Sequence, residues 1–334
     1  MSEHDDAPKV SVCMVTYNQE RYIAQAIESV LAQETNFRFE IVIGEDCSTD
    51  STRSIVRELA ERHPDRIRPL FHERNLGGKQ NFMRTYDACR GEYMAILEGD
   101  DYWICPHKLQ RQVDALDARP DWAICFHPAE ISYEDWRKPA GRWPETWEKS
   151  ESTIIDLFDK CYIPTNAAVF RHRLFSRLPE WFADLYIGDW PLHILNAAHG
   201  NIGFLPEVMS VYRVHDKGVW SSLDHGTQME ALYRMLTAVD RHFEGQYTNH
   251  IEQCRLNILH FSINQAKDAK SDKERLEKEL ATVQASLDEI LHSISFKIVR
   301  ETIRPWLQLW RESQRMRSLI GFSAKRSKQA SRAA

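Results

Sequence analysis

The chain has 334 residues, of which 43% are hydrophobic and 28% are charged, and its formal net charge is −6. These values are typical of a folded protein with one large domain or two modest ones, and the acidic balance gives no reason to expect nucleic acid binding. No apolar run approaches the roughly 20 residues that span a bilayer, and the acidic N-terminus is unlike a secretory signal. Seven dispersed cysteines without a C-x-x-C pair predict reduced thiols in a cytoplasmic protein.

The first part of the chain alternates between predicted strands and predicted helices. Apolar, β-rich runs predict strands at residues 9–15, 39–44, 67–72, 92–97 and 122–127. The segments between them carry apolar residues at helical spacing. This alternation is typical of an open α/β sheet. Because ligands bind beyond the carboxyl ends of the strands in such sheets, we expect the polar residues that follow the strands to meet at one edge.

The segment EGDDYW, residues 98–103, places three carboxylates within four positions at the end of a predicted strand. Such crowded charges repel unless a cation or solvent offsets them. Paired carboxylates on a loop suit Mg²⁺ or Mn²⁺, which can in turn hold a diphosphate. The competing interpretation is a solvated acidic turn before a helix. The chain lacks a G-x-G-x-x-G after its first strand and lacks a P-loop motif, so neither of those phosphate sites is indicated.

Four segments, taken in order, resemble the inverting glycosyltransferases of family 2 that assemble bacterial cell-surface glycans: VSVCMVTYN, GEDCSTDST, NLGGKQNF and YMAILEGDDYW. The resemblance covers roughly residues 8–220 and implies the GT-A fold, an open mixed, mostly parallel sheet flanked by helices. It implies a nucleotide-diphosphate sugar as donor and Mn²⁺ or Mg²⁺ as cofactor. The implied acceptor is a hydroxyl of a glycan, a lipid-linked molecule or a protein.

The resemblance also assigns roles to individual positions. The residues expected to bind the nucleotide sugar are Thr16, Tyr17, Asn18, Glu45, Lys79, Asp100 and Arg213. Within this set, Tyr17 is expected to pack on the base, and Glu45 to read it. The expected metal ligands are Asp101 and His215, while Glu98 is expected only to support them through local hydrogen bonds. The expected general base is Asp189, although Gly188 stands where the family usually carries Glu. The candidate platforms for an acceptor sugar are Trp103 and Trp190, whose alternative role is core packing.

The C-terminal third of the chain has a different sequence pattern from the strand-and-helix alternation before it. We predict a glycosyltransferase domain at residues 1–225, a helical extension at 226–268, a heptad-patterned helix at 269–296 and a basic amphipathic tail at 297–334. The heptad seam spans under three heptads, so it either pairs two chains as a coiled coil or lies on its own domain. The tail carries ten Lys or Arg against two Glu, a net charge of +8. It suits either anionic lipid at the inner face of the membrane or docking on protein.

These patterns together predict a cytoplasmic, metal-dependent inverting glycosyltransferase of surface polysaccharide assembly. A nucleotidyltransferase is one alternative, but the glycine-rich loop that it needs after the first strand is replaced here by TYNQERY. A non-catalytic nucleotide-sugar-binding or scaffold protein, acting through its C-terminal helices, is the other alternative. Turnover with any acceptor distinguishes an enzyme from such a scaffold.

Overall fold

A computed structural model describes residues 7–134, 140–215, 218, 220, 223–268, 281–286 and 308, with the side chains of 264–268 left out. The chain divides into two compact units, Met1–Gln265 and Ala266–Ala334. The site lies in the first unit. The predicted heptad helix and basic tail lie outside the described residues, apart from 281–286 and 308, so their oligomer and membrane contacts stay predictions. No helix of the described part is long and apolar enough to cross a membrane.

The described residues form twelve strands: β1 (Val10–Thr16), β2 (Phe39–Glu45), β3 (Ile67–Phe71), β4 (Tyr93–Glu98), β5 (Tyr102–Trp103), β6 (Trp122–Phe126), β7 (Ala129–Tyr133), β8 (Gly141–Trp143), β9 (Glu151–Ser152), β10 (Val169–Arg171), β11 (Asn201–Phe204) and β12 (Ser210–Val214). Eight of them form the main sheet, in the order β3-β2-β1-β4-β10-β6-β11-β9. Strands β3, β2, β1 and β4 are parallel neighbours, whereas β10 runs antiparallel to both β4 and β6. The predicted mixed, mostly parallel sheet is therefore confirmed.

The α-helices between residues 7 and 268 are α1 (Ile23–Leu31), α2 (Thr52–Arg62), α3 (Gly78–Ala88), α4 (Lys108–Ala118), α5 (Ile154–Asp159), α6 (Asp189–Ala197), α7 (His225–His242) and α8 (Thr248–Asp268). Successive side chains of a strand point to opposite faces of its sheet. Along β4, Ala95 and Leu97 therefore join one apolar layer, while Met94 and Ile96 join the other. Burial on both faces explains why the central strands read as continuous apolar runs.

The register of the parallel strands brings their carboxyl ends to one level. Thr16 of β1 lies opposite Glu45 of β2, and Val15 lies opposite Glu98 of β4. The polar segments that follow these strands consequently start at the same edge of the sheet, as the sequence predicted.

A second sheet of four strands, in the order β5-β12-β7-β8, stands beside this edge. Strand β12 pairs antiparallel with β5, where Ser210 lies opposite Trp103, and parallel with β7. Because β5 follows the acidic segment directly, this pairing brings Arg213 and His215 next to the three carboxylates. This sheet was not predicted from the sequence.

Candidate active site

The acidic segment turns tightly at the end of β4. The backbone N–H of Asp101 donates to the carbonyl of Glu98 at 3.1 Å. Between them, a Cβ atom on Gly99 would lie 2.4 Å from Oε1 of Gln19 and 2.9 Å from Oγ1 of Thr16. Only glycine therefore lets the chain pass this closely over the end of β1. The close passage holds the carboxylates against the strand edge.

Asp101, predicted as a metal ligand, is buried and connects the acidic segment to β12. Its side chain is 1% exposed. Oδ1 accepts the backbone N–H of Arg213 at 2.8 Å, and Oδ2 accepts an amide N–H of Asn166 at 2.8 Å. Burial raises the pKa of Asp101 well above its usual range, and the charges of Asp100 and Glu98 raise it further. The carboxylate is thus buried and bonded to two donors of the protein, which favours a structural role for Asp101 over the metal ligand predicted from the sequence.

Changing Asp101 to Asn should therefore destabilise the fold. An amide would place an N–H group against the donor of Arg213 or of Asn166, with no water to relieve the mismatch. We expect the free energy of unfolding to fall by about 1–3 kcal/mol, measured by thermal or denaturant unfolding. Asp114→Asn, on the exposed side of α4, serves as the matched control. If Asp101→Asn has the same free energy of unfolding as the wild type, the structural role of Asp101 is contradicted.

Asp100, by contrast, is half-buried and faces His215. Its Oδ2 lies 3.0 Å from Nε2 of His215, whose ring stacks on Tyr22 with centroids 5.1 Å apart. A carboxylate beside an imidazole is a donor pair that a divalent metal accepts. No group of three or more His, Cys, Asp or Glu in the described part of the chain is arranged to hold a metal. The pair therefore fits a metal that takes its remaining ligands from water and from a bound phosphate.

Arg213 joins the acidic segment to α1. Its guanidinium donates to the backbone carbonyl of Asp100 and to the side chain of Gln25. The same group lies 4.5 Å from the ring centroid of Tyr102 and 5.1 Å from that of Tyr22. These contacts hold a permanent positive charge beside Asp100, at the position where the sequence predicted a phosphate contact.

Glu98, Lys79 and Asp189 form the centre of the site. Neither the Glu98 carboxylate nor the Lys79 ammonium has a hydrogen-bond partner among the described residues, so Glu98 does not provide the local support that was expected of it. Burial raises the pKa of Glu98 to about 8, with Asp100 and Asp189 contributing. Burial lowers the pKa of Lys79, while the charges of Asp189 and Glu98 act in the opposite direction. The three groups thus interact electrostatically, and Glu98 and Lys79 keep polar atoms free for a ligand.

Asp189 is the first residue of α6 and is half-buried. Oδ1 accepts the backbone N–H of Trp190 at 2.8 Å, as an N-terminal helix residue can, and Oδ2 accepts the hydroxyl of Thr165 at 3.1 Å. Gly188, at the place of the family's usual Glu, has a specific neighbour. A Cβ atom on Gly188 would lie 2.5 Å from Nζ of Lys79. The lysine ammonium therefore occupies the space that a side chain at position 188 would take.

Tyr212 is a site residue that the sequence analysis missed. It lies on β12 next to Arg213, with its side chain on the opposite face of the strand. Its hydroxyl has no hydrogen-bond partner within the described ranges. Burial raises its pKa above the ordinary value, and the nearby carboxylates, Glu98 first, raise it further. Only the Tyr-Arg-x-His pattern in the sequence could have pointed to it.

The motif residues at the ends of β1 and β2 mainly stabilise the loops that follow these strands. Thr16 donates to Oε1 of Gln19 at 2.8 Å, and Oδ1 of Asn18 accepts the backbone N–H of Thr49 at 2.8 Å. Glu45 is fully buried and forms an ion pair with Arg53. Tyr17 differs, because its side chain is 44% exposed. Of the predicted base-binding residues, Tyr17 therefore offers an open ring face.

Asp46 is a second residue that the predictions left without a role. It is buried, and its two oxygens accept the backbone N–H groups of Leu76 and Gly77 at 2.7 and 2.9 Å. These bonds fix the loop that leads into α3. Since Lys79 lies in the first turn of α3, Asp46 indirectly sets the position of the ammonium.

The two tryptophans predicted as acceptor platforms are both core residues. The indole N–H of Trp103 donates to the carbonyl of Asn166 at 2.9 Å, and that of Trp190 donates to the carbonyl of Leu157 at 2.8 Å. Both side chains are buried, so neither offers a ring face to a sugar.

Comparison with known proteins agrees with these features. Residues 11–178 match the model of glycosyl transferase family 2. An uncharacterised protein of Mycobacterium tuberculosis is 41% identical over 214 residues, which are 64% of this chain and 61% of that protein. An uncharacterised glycosyltransferase of Nostoc is 33% identical over 215 residues, or 62% of this chain and 65% of that protein. The chain thus spans less than two thirds of the length of these relatives.

Solved structures share the fold. TarS from S. aureus, in complex with UDP-GlcNAc, superposes with a TM-score of 0.58 at 19% identity and covers 83% of this chain and 81% of its own. A mannosyltransferase from Pyrobaculum calidifontis, in complex with GDP-Man and Mn²⁺, gives 0.57 at 18% identity, with 90% and 80% covered. The fold and the carboxylate-lined sheet edge define the class of GT-A glycosyltransferases. The chain belongs to glycosyl transferase family 2, which confirms the resemblance drawn from its four motifs.

Proposed function

We propose that this protein transfers a sugar from a nucleotide-diphosphate sugar to an acceptor hydroxyl, with inversion at the anomeric carbon. One observation carries the proposal. The free carboxylate of Glu98, the ammonium of Lys79 and the carboxylate of Asp189 cluster beside the Asp100–His215 pair at the carboxyl edge of the sheet. This cluster combines a metal-binding pair, a cation and a base at one place, which is what displacement of a diphosphate requires.

The donor would lie across the ends of β1 and β4. Tyr17, with its exposed ring, is suited to stack on the base. Asp100 and His215 are suited to hold a divalent metal, a role that we move from Asp101 to Asp100. The Mn²⁺ in the structure of the Pyrobaculum mannosyltransferase supports a divalent metal in this protein. When bound, such a metal neutralises charge on the leaving diphosphate. Arg213 supplies a further fixed positive charge on the same side.

Asp189 would act as the general base. The acceptor oxygen forms its bond to the anomeric carbon as the bond to the diphosphate oxygen breaks, and Asp189 takes the acceptor proton. The hydroxyl of Thr165 orients the carboxylate through its 3.1 Å bond to Oδ2. The ammonium of Lys79 lies close enough to Asp189 for the two charges to interact. The family relation further supports a cytoplasmic role in surface polysaccharide assembly.

Substituting Gly188 by Ala should impair transfer without unfolding the protein. The new methyl group would meet the mobile end of the Lys79 side chain, so the ammonium can move away at little cost in stability. Its charge would then leave the neighbourhood of Asp189 and Glu98. We expect transfer to fall about tenfold, less than the 10²–10⁴-fold that removal of a positioned catalytic group costs, because the ammonium is displaced and not removed. The melting temperature should stay within a few degrees.

The matched control for this substitution is the double mutant cycle with Lys79→Met. If Gly188→Ala acts only by displacing the ammonium, it should have no added effect once Lys79 is Met. Additive losses in the double variant would show that position 188 acts independently of Lys79.

The test of the proposed function is release of nucleotide from UDP-, GDP-, dTDP- and CMP-linked sugars, measured with a set of nitrophenyl glycosides as acceptors. We expect one nucleotide class to be consumed with Mn²⁺ or Mg²⁺ and not with EDTA. The new glycosidic bond should have the opposite anomeric configuration to the donor, as read from the proton coupling constant in NMR. Nucleotide binding without release from any donor would favour the scaffold alternative.

A further inference from the structure

Tyr22 is a buried aromatic residue directly before α1 that contacts both side chains bonded to Asp100. Its ring stacks on the imidazole of His215, with centroids 5.1 Å apart and planes at 28°. The guanidinium of Arg213 lies 5.1 Å from the centroid of the same ring. Aromatic rings stack favourably on one another and attract a guanidinium to their faces. One side chain beside α1 therefore supports two residues at the end of β12.

The hydroxyl of Tyr22 is bonded in turn to Glu134, the residue that follows β7. It donates to Oε1 of Glu134 at 2.7 Å. The backbone N–H of Glu134 donates at 3.1 Å to the carbonyl of Val214, the residue directly before His215. Glu134 therefore binds the chain beside His215 through its backbone, and it binds the ring that stacks on His215 through its side chain. Arg21 lies 3.5 Å from the same carboxylate oxygen, but it is exposed and adds little.

These contacts restrain His215 from two directions. Tyr22 packs on the face of its ring, and Nε2 lies 3.0 Å from Oδ2 of Asp100. A side chain that is restrained before it binds a ligand loses less rotational freedom on binding. Residues that orient a metal ligand from behind typically change the affinity of the site for its metal by 10–100-fold.

We propose that Tyr22 is a positioning residue of the site: it holds the imidazole of His215 against Asp100, and Glu134 holds Tyr22. The inference rests on the proposed function, because it assigns Tyr22 a role in the affinity of the Asp100–His215 pair for its metal. Core packing alone would account for an aromatic ring at position 22. It would not account for the directional bond from the hydroxyl to a carboxylate of the second sheet.

The test compares Tyr22→Phe, which keeps the ring and removes the hydroxyl, with Tyr22→Leu, which removes the ring as well. The first readout is the set of NMR signals from the His215 ring in the metal-free full chain, assigned by their loss in His215→Gln. A stacked aromatic ring shifts such signals upfield. We expect the signals to move downfield in Tyr22→Leu and to move less in Tyr22→Phe.

The second readout is the affinity for UDP, GDP and dTDP, measured by calorimetric titration with Mn²⁺ and with EDTA. Tyr22→Leu should weaken the Mn²⁺-dependent binding about tenfold and leave the binding in EDTA unchanged. Tyr22→Phe and Glu134→Ala should each cause a smaller loss of equal size. Because the carboxylate acts through the hydroxyl, the double variant should lose no more affinity than either single variant.

Two substitutions serve as matched controls. Tyr233→Leu removes a tyrosine ring of α7 whose centroid lies 4.7 Å from the guanidinium of Arg255, away from Asp100 and His215 in the chain. Glu130→Ala removes an exposed carboxylate of β7. Both variants should leave the His215 signals and the Mn²⁺-dependent affinity at the wild-type values.

Unmoved His215 signals in Tyr22→Leu, or Mn²⁺-dependent binding at the wild-type level, would overturn the positioning role. A wild-type protein that binds none of the three nucleotides with Mn²⁺ would contradict the proposed function, and the His215 signals alone would then decide the role of Tyr22. If Tyr22→Leu does not fold, wild-type behaviour of both Tyr22→Phe and Glu134→Ala overturns the proposal.

Discussion

Substitution of Asp189 by Asn is expected to lower the rate of sugar transfer about a thousandfold, while nucleotide binding stays at the wild-type level. The expectation follows from the loss of the proton acceptor, since a positioned general base contributes 10²–10⁴-fold. The amide keeps the size of the side chain and can still accept the N–H of Trp190. Initial rates of nucleotide release, and calorimetric titration of the nucleoside diphosphate, measure the two effects separately.

The matched control is Asp184→Asn, which alters an exposed carboxylate five residues earlier on the same segment. It should leave both the rate and the binding unchanged. Wild-type transfer by Asp189→Asn would place the base elsewhere. Equal losses of transfer and binding would instead assign Asp189 to the donor site.

The second large effect is expected from Asp100→Ala. Removal of this carboxylate should weaken metal-dependent nucleotide binding about 100-fold, because changes that affect even the supporting shell of a metal site cost 10–100-fold in affinity. Binding measured in EDTA should differ little between the variant and the wild type. Titration of the nucleoside diphosphate with Mn²⁺ and with EDTA gives both numbers.

Two further variants serve as controls for this result. Asp65→Ala, an exposed carboxylate between α2 and β3, should behave as wild type. Asp101→Asn should lose stability but retain a metal response in the fraction that remains folded. If Asp101→Asn abolished the metal response and Asp100→Ala preserved it, the assignment made from the sequence would be restored.

Strands β1, β2, β4 and β6 of the main sheet were predictable because they are buried on both faces. Burial on both faces leaves continuous apolar runs, and β1, β2 and β4 lie within one residue or two of the predicted ranges. The meeting of Thr16, Glu45 and Glu98 at one edge followed from the parallel arrangement alone. The second sheet was missed because β5 and β8 have two and three residues, too few to display a period. The partner of β5, strand β12, is also distant in the chain.

The location of the site was predictable from the sequence, but the role of each residue in it was not. Asp100 and Asp101 are adjacent, yet one faces His215 and the other faces Asn166, 65 residues along the chain. Which of them is open depends on partners that only the fold brings near. The contact between Lys79 and Gly188 could not be predicted either, because a glycine in the sequence does not indicate which side chain lies against it.

The central claim, a metal-dependent nucleotide site at the carboxyl edge of the sheet, is tested most directly by thermal unfolding with UDP, GDP, dTDP and CMP. Each nucleotide is added with Mn²⁺, Mg²⁺ or EDTA. A ligand that binds only the native state at 100 times its dissociation constant stabilises the protein by about 2.7 kcal/mol. We predict a rise of several degrees for one nucleotide class, present with metal and absent with EDTA. No shift with any nucleotide, or an equal shift with EDTA, would contradict the account.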